Sequence, residues 1–448
     1  MKKIFLIFAI LMLTVNLHSQ EYDAQEHDSQ EYDVQENNSR ENGASYYDDF
    51  VFYDDAFFYY DDPKEKGPFR MKPRSFELGI ANFNVGFANN FLTAGEIFTE
   101  TLVVDFDNFD KGFRVAFDLN VRPLFFNVNV KNNWGFGLDI ANITAYGNLD
   151  IAGNLLQFKQ TDGDEFGVGA AVFVDVGVPV FFHVRNIYDR DLKIKFRPAG
   201  FVPIAYTEPE MIYKYINSPS GTLFEIGYQV KVFTPVNLDH DNMISTLDVS
   251  SALGFDFSIG AEYPLFSWLN VGVNITNFPF LASNLNHYME MNGKIWMDSS
   301  KLNLGSLLGD EEAEEDWYGF PDDFEPSFGE GNEKIRRPFK MVFYADYYPF
   351  ESHRNFSVIP ILGFSVNRVY PRWFGLEAGA KARYDIANMF ITTLGVTYED
   401  RMFQNGIDFI FNLKVFELNL GVATQSQRFL QSWQAAGVRA NVGIKIGG

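Results

Sequence analysis

"IDFIFNLKVFELNLGV", residues 407–422, carries the pattern that decides the fold. Its apolar set Ile407, Phe409, Phe411 and Leu413 occupies odd positions, then changes parity to Phe416, Leu418, Leu420 and Val422. A period of two is the spacing of side chains on one face of a β-strand. The change of parity is what a two-residue loop at Lys414-Val415 requires, because it sets Leu413 opposite Phe416 on the same face of a hairpin.

The same alternation recurs outward from this hairpin. In "FRVAFDLNVR" (residues 113–122), Phe113, Val115, Phe117, Leu119 and Val121 alternate with Arg114, Asp118, Asn120 and Arg122. Leu253, Phe255, Phe257, Ile259, Ala261 and Tyr263 form another apolar row, and Leu269, Val271, Val273 and Ile275 a third. Between these two rows "PLFSW" (264–268) reads as a five-residue loop that keeps parity. The final strand repeats the pattern through Val438, Ala440, Val442, Ile444 and Ile446. Consecutive strands therefore share one apolar face.

Such strands build either a sandwich, whose apolar faces meet, or a membrane barrel, whose apolar faces meet lipid. Three features favour the barrel. The strands run near the roughly 9–11 residues a tilted strand needs to cross a bilayer, where soluble strands average about 5–6. The opposite face carries charges, Asn and Gly, as a lumen does. Aromatics crowd strand ends in "YYPF", "YPRWF" and "FPF", where an interfacial girdle would lie. The expected fold is all-β, a transmembrane antiparallel β-barrel of about 14–18 strands with a disordered acidic N-terminal tail.

Three segments follow. Residues 1–19 read as a secretory signal peptide, with Lys2 and Lys3 ahead of an apolar run from Ile4 to Val15 and the small Ser19 at its end. Residues 20–72 open with a decaying repeat, QEYDA-QEHDS-QEYDV, too polar to bury a core. Within them "YYDDFVFYDDAFFYYDDP" (46–63) pairs aspartates with aromatics, and can plug the barrel mouth, act as a tether, or bind divalent cations. Residues 73–448 form the barrel, with a long acidic loop over 280–337. Past the signal no apolar run is long enough for a membrane helix.

The formal charge of −23 is confined to two places. Residues 20–62 hold fourteen Asp and Glu against Arg40 alone, and residues 310–333 hold eleven with no base. The body is close to neutral, with no basic face for nucleic acid. The chain has no cysteine, which closes the lipoprotein route and excludes disulfides and Cys-ligated metal.

The strand phrases "GAEYPLFSWLNVGVNITNFPF" (260–280), "FRPAGFVPIAYTEP" (196–209) and "VFELNLGVATQSQRFLQSWQAAGVRANVGIKIG" (415–447) resemble spirochaete outer-membrane β-barrels of the FadL-like and TraF-like (conjugal transfer) type. The resemblance implies an outer-membrane barrel of a diderm bacterium that passes small solutes, hydrophobic ones included. It transfers no functional residue. The C-terminal "KIGG" departs from it by lacking a terminal aromatic.

Chemistry-bearing motifs are sparse. The six histidines, among them His183 and His287, are scattered without an HExxH. "DFDNFDKG" (105–112) puts Phe109 at a calcium-ligand position and lacks the closing Glu, and "TDGDEFG" (161–167) reads as a hairpin connection. No GxSxG or phosphate loop occurs, so neither an enzyme nor a cofactor is expected. The expected partners are outer-membrane lipid, a small solute and cations at the acidic segments. Arg114, Asp118 and Arg122 lie on one strand face as lumen-lining candidates, either a selectivity element or ion pairs that fill the barrel. A non-conducting surface barrel used for adhesion, or a TraF-like periplasmic protein, are the rival functions. Taking "PLFSW" as a periplasmic turn and counting strands puts loop 280–337 outside and both termini in the periplasm.

Overall fold

The computed structural model describes residues 74–89, 113–130, 134–151, 166–187, 190–218, 221–237, 246–247, 249–298, 318–319, 327–350, 355–366, 374–399, 402–413, 415–426, 429–433 and 437–448. Residues 1–19, read above as a signal peptide, the expected tail with its stretch 46–63, and the 105–112 motif lie outside them.

In chain order the strands begin with β1 (Phe76–Asn89), β2 (Phe113–Val130), β3 (Trp134–Ile151), β4 (Phe166–Gly177), β5 (Val180–Ile187), β6 (Arg190–Ser218) and β7 (Gly221–Thr234). The short β8 (Val236–Asn237) and β9 (Thr246–Leu247) pair with each other, and a single helical turn, α1 (Val249–Ala252), leads into β10 (Gly254–Phe266). Then come β11 (Leu269–Leu281), β12 (Ser283–Asp298), β13 (Tyr318–Gly319), β14 (Ser327–Ile335), β15 (Phe339–Tyr347), β16 (Phe356–Val366) and β17 (Gly375–Ile386). The chain ends with β18 (Phe390–Glu399), β19 (Met402–Asn412), β20 (Phe416–Ser426), α2 (Phe429–Ser432) and β21 (Gly437–Gly447).

All pairings are antiparallel, and β1 pairs with both β2 and β21, so the sheet closes on itself. Four wall positions are split strands: β4 continues as β5, β7 as β10, β11 as β12 and β14 as β15. The result is a closed 14-stranded barrel, at the lower end of the expected range. Closure leaves no open edge, which is the condition for β-structure to stand in lipid. Among the described residues no helix is long and apolar enough to cross a membrane.

Side-chain burial is inverted relative to a soluble protein. Large apolar residues face outward and exposed, for example Phe117 at 41%, Leu394 at 55% and Leu362 at 61%. More of the buried side chains are polar or charged than apolar among the described residues. A continuous apolar exterior of this kind is a membrane surface, not a scatter of exposed residues. Aromatic contacts mark both ends of it. Phe266 stacks on Trp268 at 4.9 Å and Trp268 meets Tyr347 edge-on at 5.8 Å near the chain termini, while Tyr398, Phe403 and Phe429 associate at the other end.

The 413–416 hairpin is as its parity requires: Leu413 N–H donates to Phe416 O and Phe416 N–H to Leu413 O, at 2.7 and 3.2 Å. The turn at "PLFSW" is tighter than five residues. Strand β10 runs on to Phe266, which pairs with Leu269, and a register shift between Pro264 and Phe266 preserves the parity. The acidic connection is likewise shorter than 280–337, because β12 extends to Asp298 and β14 resumes at Ser327.

Period two also breaks where the sequence gives little sign of it. Ala81 in β1, Ala141 in β3 and Asn277 in β11 have positive φ of 58°, 53° and 53°. Registers shift beside each of them. Ala81, Pro123 and Ala141 lie at one level of three adjacent strands, since Asn82 pairs with Arg122, Ile80 with Leu124, and Leu124 with Ile140. A β-bulge inserts one residue and turns the rest of the strand over. Accordingly Phe83 and Ile80, of opposite parity, both face outward.

Candidate functional site

Two layers of side chains fill the described lumen. The first is a ladder of alternating charge. Arg122 on β2 donates from Nε to Asp139 Oδ1 on β3 at 3.1 Å, and Arg197 on β6 donates from Nε to Asp139 Oδ2 at 2.5 Å. Arg197 also bonds Asp175 on β4, which receives Arg337 as well and accepts from Asn142 Nδ2 at 3.1 Å. Arg337, in the three-residue break between β14 and β15, completes the ladder by donating from Nε and Nη2 to the two oxygens of Asp256 on β10, both at 2.6 Å.

Local structure places each member. The bulge at Ala141 puts Asp139 and Asn142, an odd and an even position, on the same lumenal face, so both can join the ladder. Arg122 lies with its Cζ 3.6 Å from the Phe125 ring centroid, and Phe125 turns inward past the phase change at Pro123. Gly79 and Gly177 supply the room: an added Cβ would collide with the Phe125 ring at the first and with the Arg197 guanidinium at the second. All six charged members are buried. Removing six ions from water is costly, and mutual pairing is what compensates.

Other lumenal pairs extend around the wall. Lys340 contacts Glu399 at 2.8 Å and Glu377 at 3.0 Å, and Lys193 contacts Glu262 at 3.1 Å. Near the termini Arg74 donates to Asn412 Oδ1 at 2.7 Å and pairs with Glu417 at 3.3 Å, while Lys445 reaches Glu417 at 3.1 Å.

The second layer is apolar and lies immediately toward the long-connection end. Phe173 from β4, Phe201 from β6, Phe233 from β7, Leu285 from β12, Ile335 from β14 and Ala252 of α1 form one cluster, ringed by Tyr146, Tyr206 and Tyr288. Phe173 meets Phe201 edge-on at 6.0 Å and Tyr146 at 5.8 Å. Chain order fixes the relation of the layers: Phe173 is the next inward residue beyond Asp175, Ile335 the next beyond Arg337, and Phe201 two inward positions beyond Arg197. Arg337 joins the layers, its Cζ lying 5.1 Å from the Phe201 ring centroid.

The three lumen candidates from the sequence separate into different surroundings. Arg122 enters the ladder, Asp118 pairs with Arg439 of β21 at 3.0 Å, and Arg114 is in register with Asp150 of β3. Asp139, Asp175, Arg197, Asp256 and Arg337 were not singled out by pattern. The signal was present in part: Asp175 is an isolated charge inside "AAVFVDVGVPVFFHV". Among the described residues no group of three metal-ligand side chains could hold a metal ion.

No protein-family model matches the chain, and no curated relative does. Solved structures of similar shape include a deltaS2 mutant of the TodX monoaromatic hydrocarbon channel, TodX being a toluene transporter of Pseudomonas putida, at 8% identity and a TM-score of 0.43, over 84% of this chain and 90% of that one. The Ralstonia pickettii toluene transporter TbuX is similar at 8% identity and 0.41, over 83% and 88%. A Pseudomonas aeruginosa FadL homologue is similar at 9% identity and 0.39, over 83% and 89%. Nothing in these likenesses points to a spirochaete source or to the conjugal-transfer type.

Proposed function

We propose that this barrel is an outer-membrane channel for small hydrophobic solutes. The observation that carries the reading is the apolar layer inside the lumen. Lipid accounts for the apolar exterior, but Phe173, Phe201, Phe233 and Leu285 face away from lipid and pack together in the interior. An apolar layer among polar walls is where a small apolar ligand would find its contacts. The test is uptake of radiolabelled toluene and of a labelled fatty acid into liposomes holding the purified protein. Saturable uptake of either supports the channel. Uptake of neither would leave the adhesion barrel, or a periplasmic role of the TraF-like kind, in its place.

The proposed orientation has both termini in the periplasm and the acidic connection outside. Its support is the contrast in connection length: 131–133, 188–189, 267–268, 348–355, 387–389 and 413–415 at the termini's end are all eight residues or shorter, whereas the opposite end, besides the two-residue 219–220 and 400–401, carries the long 90–112, 152–165 and 299–326. Arg122 is assigned to the constriction, with Asp118 and Arg114 as lining residues. The 46–63 segment is assigned a plug role at the periplasmic mouth. Arg74, the first described residue after the segment, is itself clamped there onto Asn412 and Glu417. A cysteine replacing Asp55 in this cysteine-free chain should react slowly with a 5-kDa maleimide polymer if the segment plugs, and at the free-thiol rate if it is a tether.

A further inference from the structure

Asn120 and Thr144 on one side, Thr276 and Lys340 on the other, and Arg197 and Arg337 between them line a single cavity of about 40 Å³. These residues come from wall positions two to eight of the barrel, so walls far apart in strand order converge at the ladder. At roughly 10–15 Å³ per water, the space holds about three water molecules. The ladder beside it contains three guanidinium groups and three carboxylates, each carboxylate bonded to at least one guanidinium. A hydrated ion entering this cavity meets ladder carboxylates already held by guanidinium groups, so their charge does little to replace the water it must lose.

Arg337 stands apart from the other members. The strands β2, β3, β4, β6 and β10 are consecutive neighbours around the wall, whereas Arg337 arrives from beyond β11 and spans inward to both Asp256 and Asp175. We propose that the ladder is a septum that bars ions from the channel, and that Arg337 is the specificity-determining residue that ties it across the lumen. An uncharged solute and an ion must both part the paired side chains, which re-form behind either, but only the ion must also lose its hydration. This inference rests on the channel reading.

The test is K⁺ conductance of the full chain in planar bilayers. Wild type should pass little current, and Arg337→Gln should raise cation-selective conductance roughly tenfold or more by leaving Asp175 and Asp256 facing the lumen without it. Glu290→Gln, on β12 away from the ladder and bonded by Gln229 and Asn292, should stay at the wild-type level. A folded, heat-modifiable Arg337→Gln barrel with wild-type current would overturn the septum, as would Glu290→Gln raising current equally. A large steady current through wild type overturns it whether or not the variant folds. Toluene or fatty-acid uptake is read in separate liposomes, so loss of the channel reading is distinguishable from loss of the septum.

Discussion

Asp175 shows how much rests on single lumenal residues. It is 1% exposed and bonded by Arg197, Arg337 and Asn142, so Asp175→Asn removes the charge that two buried guanidinium groups share. The expected cost is about 3–5 kcal/mol, read as a lower urea midpoint in detergent micelles, because the cations remain buried without their counter-ion. Gly177→Ala is expected to lower the midpoint too, since its Cβ would meet the Arg197 guanidinium, held on both sides by Asp139 and Asp175. A midpoint unchanged in both variants would mean that the ladder contributes nothing to stability. Asp175 shows in the sequence only as a lone charge in an apolar run, and neither it nor Gly177 reveals its partners there, for an aspartate and a glycine in a strand look alike whether they fill a lumen or face it idly.

At the scale of the element, the bulges decide which residues meet. Ala141 is a non-glycine residue at positive φ, a conformation that costs an L-residue roughly 1–2 kcal/mol. Ala141→Gly is therefore expected to stabilise the barrel by about 0.5–1 kcal/mol in the same urea assay, and Ala81→Gly likewise. The hairpin at 413–416, by contrast, was readable from parity alone, because both of its strands hold phase up to the turn.

For the whole molecule, the closed sheet predicts that mild detergent samples run faster on gels before boiling than after, as a barrel does while its closing pair β1–β21 is intact. The orientation calls for a tag in the acidic connection. A tag after Gly329 would fall inside β14, so the insertion belongs within 299–317. Such a tag should be reached by antibody on intact cells; access only after permeabilisation would invert the barrel.

By itself the sequence determined the architecture of this protein. Period-two rows, parity across turns and strand lengths near bilayer thickness are local properties, and each follows from side chains alternating across a strand. An apolar face shared by successive strands leaves only a barrel or a sandwich, and charged residues on the other face point to a lumen. What only the tertiary structure decided is which of those lumenal residues touch. Arg122, Asp139, Asp175, Arg197, Asp256 and Arg337 are spread over more than two hundred residues and meet through closure, shear and bulges. Phase alone could not place them, because one inserted residue exchanges the two faces of a strand, and the strand at that point reads much the same with or without it.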